Sequence, residues 1–265
     1  MNLEKLTTQV CSLVIETGDI IHREVKQLKA KDIETKSLHN FVTYVDKSSE
    51  ELLVNRLSGL LPGSGFIAEE NDSLPSGEFT WVVDPLDGTT NFIHGVPIYS
   101  ISIGLLQGTD VLLGVVYEIN HKECFHTWKS GPSFLNREPI KVSPTKKLTD
   151  SLLATGFPYY DYGRLDEYLD LFRYLMQNSR GIRRLGSAAA DLAYVACGRF
   201  DGFYEYGLSP WDVCAGTLLV KNAGGRVSDF RGDQNYIFGK EILATNSSIH
   251  IELLKLFDSW NPTAE

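Results

Sequence analysis

The chain has 265 residues, 43% hydrophobic and 22% charged, with a net charge of −9; this is the size of one large domain or two coupled subdomains with a sizeable core. No apolar run approaches the roughly 20 residues that span a bilayer, and the N-terminus Met1-Asn2-Leu3-Glu4-Lys5 lacks the charged-then-apolar order of a signal peptide. The densest cationic group is Arg180, Arg183 and Arg184, with Lys146-Lys147 a lesser one, so a broad nucleic-acid face is not expected.

Four scattered cysteines (Cys11, Cys124, Cys197, Cys214) form no Cys-x-x-Cys, and the six histidines show no ligand spacing. These features point to reduced thiols in a cytoplasmic protein and away from zinc. Leu3, Leu6, Val10, Leu13, Val14, Ile21, Val25 and Leu28 recur at three- and four-residue steps, which predicts an amphipathic helix over 3–28. Gly18 within it marks a kink or a close helix contact. Residues 41–45 alternate as on a short strand, and Asp46 opens a second helix with Leu52, Leu53, Leu57 and Leu60 in its core. Asp46 reads equally as an N-cap and as a functional acid. Residues 66–68 form a short strand closing in Glu69-Glu70, and a hairpin-like return into a strand over 79–83 would set Glu69 beside Asp84.

The segment Trp81-Val82-Val83-Asp84-Pro85-Leu86-Asp87-Gly88-Thr89-Thr90-Asn91-Phe92 carries the densest chemistry. An apolar strand ends in one acid, a proline interrupts it, a second acid follows, and then an NH-rich turn. Carboxylates with a nearby carbonyl suit a hard cation such as Mg²⁺. Backbone N–H groups at a turn or helix start suit a phosphate. An ordinary strand followed by an Asp/Gly turn is the competing reading.

Beyond it, strands are expected over 98–106 and 111–117, joined by a tight reversal at Gly108, then over 123–128, 140–142 and 151–155. This succession predicts a substantial antiparallel or mixed sheet. A helix is expected over 165–176, a short arginine-rich strand over 182–185, and a small-residue helix from Gly186-Ser187-Ala188 to about Cys197. The Gly-Ser-Ala start either faces a substrate or packs tightly against another helix. A strand over 200–205 leads to Pro210 and Asp212 at a helix start. There Asp212 serves either the helix dipole or, as a remote carboxylate, a metal cage. Strands over 227–229 and 242–244 and a helix over 249–256 complete the chain.

Ala68-Glu69-Glu70, the Asp84 to Phe92 segment, and Trp211-Asp212-Val213-Cys214-Ala215-Gly216 with Ala223-Gly224-Gly225 behind it resemble the inositol monophosphatases, within the magnesium-dependent, lithium-sensitive phosphatases. The likeness runs from the N-terminal helices to near residue 245. It implies an α+β fold, a layered α/β/α/β/α sandwich, as one unit over 1–265. Its part up to about residue 180 would carry most metal ligands, and the part from about 181 would supply Asp212 and substrate contacts. By the same resemblance, Glu69, Asp84 and the Leu86 carbonyl hold one Mg²⁺, and Asp84, Asp87 and Asp212 a second, with Glu69 sharing a weaker third. Gly88 and Thr89 cradle the phosphate. Thr89 with Asp46, and Glu69 through a water on the metal, handle protons. Glu205 hydrogen-bonds inositol hydroxyls, Ala188 makes a backbone contact to the sugar ring, Asp87 and Asp212 also lie near the substrate, and Lys36 is an accessory loop lysine.

The implied reaction is hydrolysis of myo-inositol monophosphate without a phospho-enzyme, in a cytoplasmic homodimer. Two alternatives stay open. One is the same chemistry on fructose-1,6-bisphosphate, a nucleotide bisphosphate or a lipid-linked inositol phosphate. The other is a regulatory protein that keeps the fold and associates with RNA or the transcription machinery through its arginine segment. Ala68 stands where the family usually has glycine, and Asn40 where many relatives have Asp.

Overall fold

Two mixed sheets alternate with three layers of helix. The computed structural model describes residues 1–25, 27–29, 32–37, 40–70, 77–158 and 161–258. In chain order these form α1 (Leu3–Glu24), β1 (Ile33–Ser37), β2 (Asn40–Thr43), α2 (Tyr44–Leu60), β3 (Gly65–Ala68), β4 (Phe79–Asp87), α3 (Thr89–His94), β5 (Ser100–Gln107), β6 (Asp110–Glu118), β7 (Glu123–Trp128), β8 (Phe134–Leu135) and β9 (Glu138–Pro139). The second part comprises β10 (Leu152–Thr155), α4 (Leu165–Asn178), β11 (Gly181–Arg183), α5 (Ala188–Ala196), β12 (Gly202–Tyr206), α6 (Pro210–Asn222), β13 (Arg226–Ser228), β14 (Glu241–Thr245) and α7 (His250–Asp258).

Among the described residues, the largest sheet has seven strands in the order β3-β4-β5-β6-β7-β8-β9, a second has five in the order β11-β10-β12-β14-β13, and β1 and β2 form a separate antiparallel pair. Helices α1 and α2 pack on the outer face of the larger sheet, and α5 and α6 fill the space between the sheets. Helices α4 and α7 cover the far face of the smaller sheet. The result is a layered α+β sandwich, α/β/α/β/α.

Sequence periodicity accounts for the outer layers. Leu6, Val10, Leu13, Val14 and Ile21 of α1 are all buried, each contributing on the order of 1.5–3 kcal/mol. Asn2 caps the helix by accepting the Lys5 N–H at 2.9 Å. The helix ends at Glu24, earlier than its apolar pattern suggests, and the N–H groups of Gln27 and Leu28 beyond it both donate to the Glu24 carbonyl. Gly18 is a point of close approach: a Cβ there would lie 2.4 Å from the Tyr117 ring.

Three expectations are corrected. Strand β3 pairs parallel to β4, with Ala68 opposite Val83, so Glu69 reaches the end of β4 by a crossover and not by a hairpin. Strand β4 runs past Pro85 to Asp87, because the ladder to β5 absorbs the missing N–H as a bulge. Residues 140–142 form no strand, and the Val142 N–H donates instead to Ala223 C=O at the end of α6.

Small residues bring the middle layer close to the larger sheet. Gly104 of β5 and Gly114 of β6 are cross-strand partners. A Cβ at Gly104 would lie 2.5 Å from Cys214 Sγ, and one at Gly114 would lie 2.5 Å from the Ala215 carbonyl oxygen. Bare backbone at these two positions lets α6 lie against the sheet, and Asp212 sits in its first turn.

Candidate metal centre

The bulge in β4 decides where its two acids point. Side chains three residues apart on a regular strand face opposite sides of the sheet. Here Asp84 pairs with Ser102 and Asp87 with Ser100, so three residues of β4 span two of β5. The extra residue turns Asp87 to the side of Asp84. The α6 start adds Asp212, and one carboxylate oxygen from each of Asp84, Asp87 and Asp212 lies within 4.8 Å of the others. Glu69, after β3, lines the same cleft as Asp87 and Asp212.

Each acid is held by a distinct contact. Asp84 Oδ1 accepts the Leu86 N–H at 2.9 Å, inside the bulge. Asp87 Oδ2 accepts both the Ser187 hydroxyl and the Ala189 N–H at 2.7 Å, so the α5 start clamps it. Ser187 also caps α5 and meets Ser100 Oγ at 2.9 Å. Asp212 stands at the third position of α6 and accepts the Ser209 N–H at 2.7 Å. Ser102 Oγ fastens that helix start to β5 by donating to Trp211 C=O.

Asp46 is not the N-cap. Thr43 is, and Asp46 occupies the third helical position in a capping box, accepting both the N–H and the hydroxyl of Thr43. Its other oxygen accepts the Thr89 hydroxyl at 3.0 Å. The structural and functional readings of Asp46 therefore use different oxygens. Thr89 Oγ1 is also 3.0 Å from the Leu86 carbonyl.

Gly88 caps α3 in a left-handed conformation (φ 98°), which a residue with a side chain adopts only under strain. Gly88, Thr89 and Thr90 line the cleft, and first-turn N–H groups of a helix have no intrahelical acceptor. Ala188 and Glu205 lie across the cleft, and Gly156 leaves room for the Glu205 carboxyl: a Cβ at 156 would fall 1.9 Å from it. Lys36 lies on β1, but its side chain is outside the described residues.

Burial raises these acids, and mutual repulsion adds to it. Burial and then the charges of Glu69, Asp87 and Asp212 push Asp84 well above the carboxylate range. Burial raises Asp212 well above it too, with Asp87 the next cause. Burial raises Asp87 to about 6 against the Ser187 and Ala189 hydrogen bonds, and Glu205 to about 8 against Arg184. Asp46 is raised by burial, with its threonine donors opposing. Crowded, partly desolvated, all-oxygen ligands fit a hard divalent cation, which would relieve the repulsion.

Between about 4, where free carboxylates titrate, and the raised values of Asp87 and Glu205, the folded state holds more protons than the unfolded one. Metal-free stability therefore falls as pH rises through that window. A cation competes with those protons, so its stabilising effect grows over the same window. The rise in Tm on adding Mg²⁺ should be larger at pH 8 than at pH 5.5. A rise independent of pH would remove these carboxylates as ligands.

Among the described residues no cysteine or histidine lines this cleft. Ser228, His250 and Thr245 are linked at 3.1 and 3.0 Å, but all three are buried outside the cleft. His250 is lowered to about 4 by burial.

The model of the inositol monophosphatase family matches residues 2–260. The chain belongs to the inositol monophosphatase family. It is 38% identical over 243 residues to an inositol-1-monophosphatase of Mesorhizobium japonicum, covering 91% of each chain. It is 41% identical over 243 residues to the Nus factor SuhB of Pseudomonas aeruginosa, covering 89% of this chain and 90% of that one. The crystal structure of the extragenic suppressor protein suhB of Bartonella henselae superposes with a TM-score of 0.89 at 35% identity, covering 97% of this chain and 98% of that one. The family is one of metal-dependent phosphatases in general, and among the described residues the cluster of Asp84, Asp87 and Asp212 is a group that could hold a metal ion.

The structure also brings in residues the sequence analysis did not assign to the site. Ser187 and the Ala189 N–H orient Asp87, and Arg184, Phe157 and Asp191 line the cleft. A serine just before a helix start is a visible capping signal. That its hydroxyl also meets an acid 100 residues away is not visible in the sequence. Among the described residues no helix is long and apolar enough to cross a membrane.

Proposed function

We propose that the chain hydrolyses myo-inositol monophosphate to inositol and phosphate with two to three Mg²⁺ ions, by attack of water and without a phospho-enzyme. The observation that carries this reading is the convergence of Asp84, Asp87 and Asp212 beside the α3 start. Glu69, Asp84 and the Leu86 carbonyl would hold one ion, and Asp84, Asp87 and Asp212 another. When bound, such ions neutralise the phosphate, lower the pKa of a water and steady the leaving oxygen.

The chain's own groups do the rest. Gly88 and Thr89 N–H groups bind phosphate oxygens. Asp46 accepts the Thr89 hydroxyl proton and orients Thr89 toward the cleft, while Glu69 takes a proton from the attacking water. Asp87 and Asp212 also border the substrate, and Ala188 and Glu205 receive the alcohol, with Lys36 an accessory cation. The same reading places the protein in the cytoplasm as a lithium-sensitive homodimer. It is a single unit over 1–265, with most ligands before about residue 180 and Asp212 after about 181.

The alcohol side supports a monophosphate over a bisphosphate. It is lined by Glu205 and Asp191, and Arg184 is the one cation lining it among the described side chains. A panel of inositol 1-phosphate, fructose-1,6-bisphosphate and a nucleotide bisphosphate with Mg²⁺ should show the highest kcat/KM for inositol 1-phosphate, and Li⁺ should inhibit. Equal or better turnover of fructose-1,6-bisphosphate would sink the substrate choice.

The name of the Pseudomonas relative keeps a second, regulatory reading alive, with RNA or the transcription machinery as partner. The three arginines give it little support. Arg180 is 3.9 Å from Asp150, Arg183 donates to its neighbour's carbonyl, and Arg184 turns into the cleft over the Phe157 ring.

A further inference from the structure

Asp191 lies on α5, one turn after the Ala188 start. It is 1% exposed and lines the cleft, and its Oδ1 accepts no hydrogen bond from the described residues. Two other buried acids of the same fold each accept hydrogen bonds from two or more donors. Asp201 accepts from Ser143 Oγ and from the Leu152 N–H, and Asp46 accepts from Thr43 and Thr89. A buried acceptor without a donor is costly unless something else supplies the donor. Around Asp191 the acting charges are Glu205, Asp87 and Arg184. Glu205 is itself only 7% exposed, in the space that Gly156 leaves clear.

The missing donor must be small enough to enter between these groups and must not be an anion. A second phosphate or a carboxylate would meet two acids. An alkyl or aryl group would bury Oδ1 without a partner. A hydroxyl donates to Oδ1 and keeps acceptor lone pairs for a neighbouring donor. Two acids side by side suit an alcohol carrying several hydroxyls.

We propose that Asp191 is a specificity-determining residue for the alcohol half of the substrate, its Oδ1 accepting a hydrogen bond from one hydroxyl of a neutral polyol while Glu205 engages another. This rests on the phosphatase reading above and adds to it a residue that distinguishes a polyol ester from a bare one. A site that hydrogen-bonds a substrate hydroxyl discriminates against esters lacking it, because its own polar atom is then left unpaired.

The test compares kcat/KM for inositol 1-phosphate with that for phenyl phosphate, which has no hydroxyl to offer. Both are measured at saturating Mg²⁺ in the wild type, Asp191→Leu and Asp191→Asn. The polyol-to-phenyl ratio should fall at least about tenfold in Asp191→Leu. It should recover to within about threefold of wild type in Asp191→Asn, whose amide oxygen remains an acceptor. If Asp191→Leu does not fold, Asp191→Ala carries the same comparison against Asp191→Asn. An unchanged ratio with both esters losing turnover together would make Asp191 structural and overturn the proposal. So would an Asn variant as unselective as the Leu variant. Wild type that turns over neither ester overturns the phosphatase reading itself, an outcome visible before any variant is compared.

Discussion

Asp84→Asn should leave a folded protein with at least about a thousandfold less Mg²⁺-dependent turnover, a loss of ~4 kcal/mol in transition-state stabilisation. Asp84 is the acid shared between both proposed ion positions, and it is 1% exposed with Glu69, Asp87 and Asp212 acting on it. The amide keeps the oxygen that accepts the Leu86 N–H, so the bulge that aims Asp87 persists. Removing one charge from a repelling group makes metal-free stability equal or higher, while the rise in Tm on adding Mg²⁺ shrinks. Turnover of inositol 1-phosphate and Tm with and without Mg²⁺ measure the two effects separately. A variant with full activity would remove Asp84 from the metal site. A variant that fails to fold would show that the acid is structural.

Gly114→Ala should cost both stability and activity although it lies outside the cleft. Its new Cβ would fall 2.5 Å from the Ala215 carbonyl oxygen and 2.9 Å from Ala215 Cα. Helix backbone cannot rotate away as a side chain does, so α6 must lift from the sheet. Overpacking of this kind costs roughly 1–3 kcal/mol or more, which in a chain of this size lowers Tm by about 3–10 °C. Lifting α6 also moves Asp212 away from Asp84 and Asp87, and a misplacement of about 1 Å costs on the order of a hundredfold in rate. Gly104→Ala is the milder control, because its nearest obstacle is the Cys214 side chain at 2.5 Å. Thermal unfolding and kcat/KM of the two variants check this. Equal, wild-type behaviour of both would show that the close approach does not hold Asp212 in place.

The outer helices were legible because amphipathic periodicity and burial have one cause. Leu6, Val10, Leu13 and Val14 recur on one face of α1, and that face is buried. The acid-rich motif was legible because local chemistry shows in local sequence: Asp84, Pro85, Asp87 and Gly88 declare a broken strand and a turn. Its geometry was less so. Pro85 reads as a strand end, yet the strand continues, because a bulge accommodates a residue without an N–H where the ladder is already irregular. The link from Glu69 to Asp84 reads as a hairpin and is a parallel crossover, since strand direction depends on the route of the chain between strands and not on either strand's composition. Asp46 reads as an N-cap and is displaced by Thr43, three residues earlier, whose hydroxyl does the capping.

By itself the sequence determined which groups this protein has to work with: four acids at Glu69, Asp84, Asp87 and Asp212, a glycine-led turn at Gly88-Thr89, and no competing cysteine or histidine site. The family followed from their order along the chain. Only the tertiary structure decided that three of those acids meet, that Ser187 and Ala189 clamp one of them, and that Asp191 is buried in the cleft with no donor to its Oδ1 among the described residues. The reason is distance along the chain. Asp212 lies 125 residues after Asp87, and a local pattern cannot encode a contact made by a helix seated on two bare glycines of a sheet formed 100 residues before it.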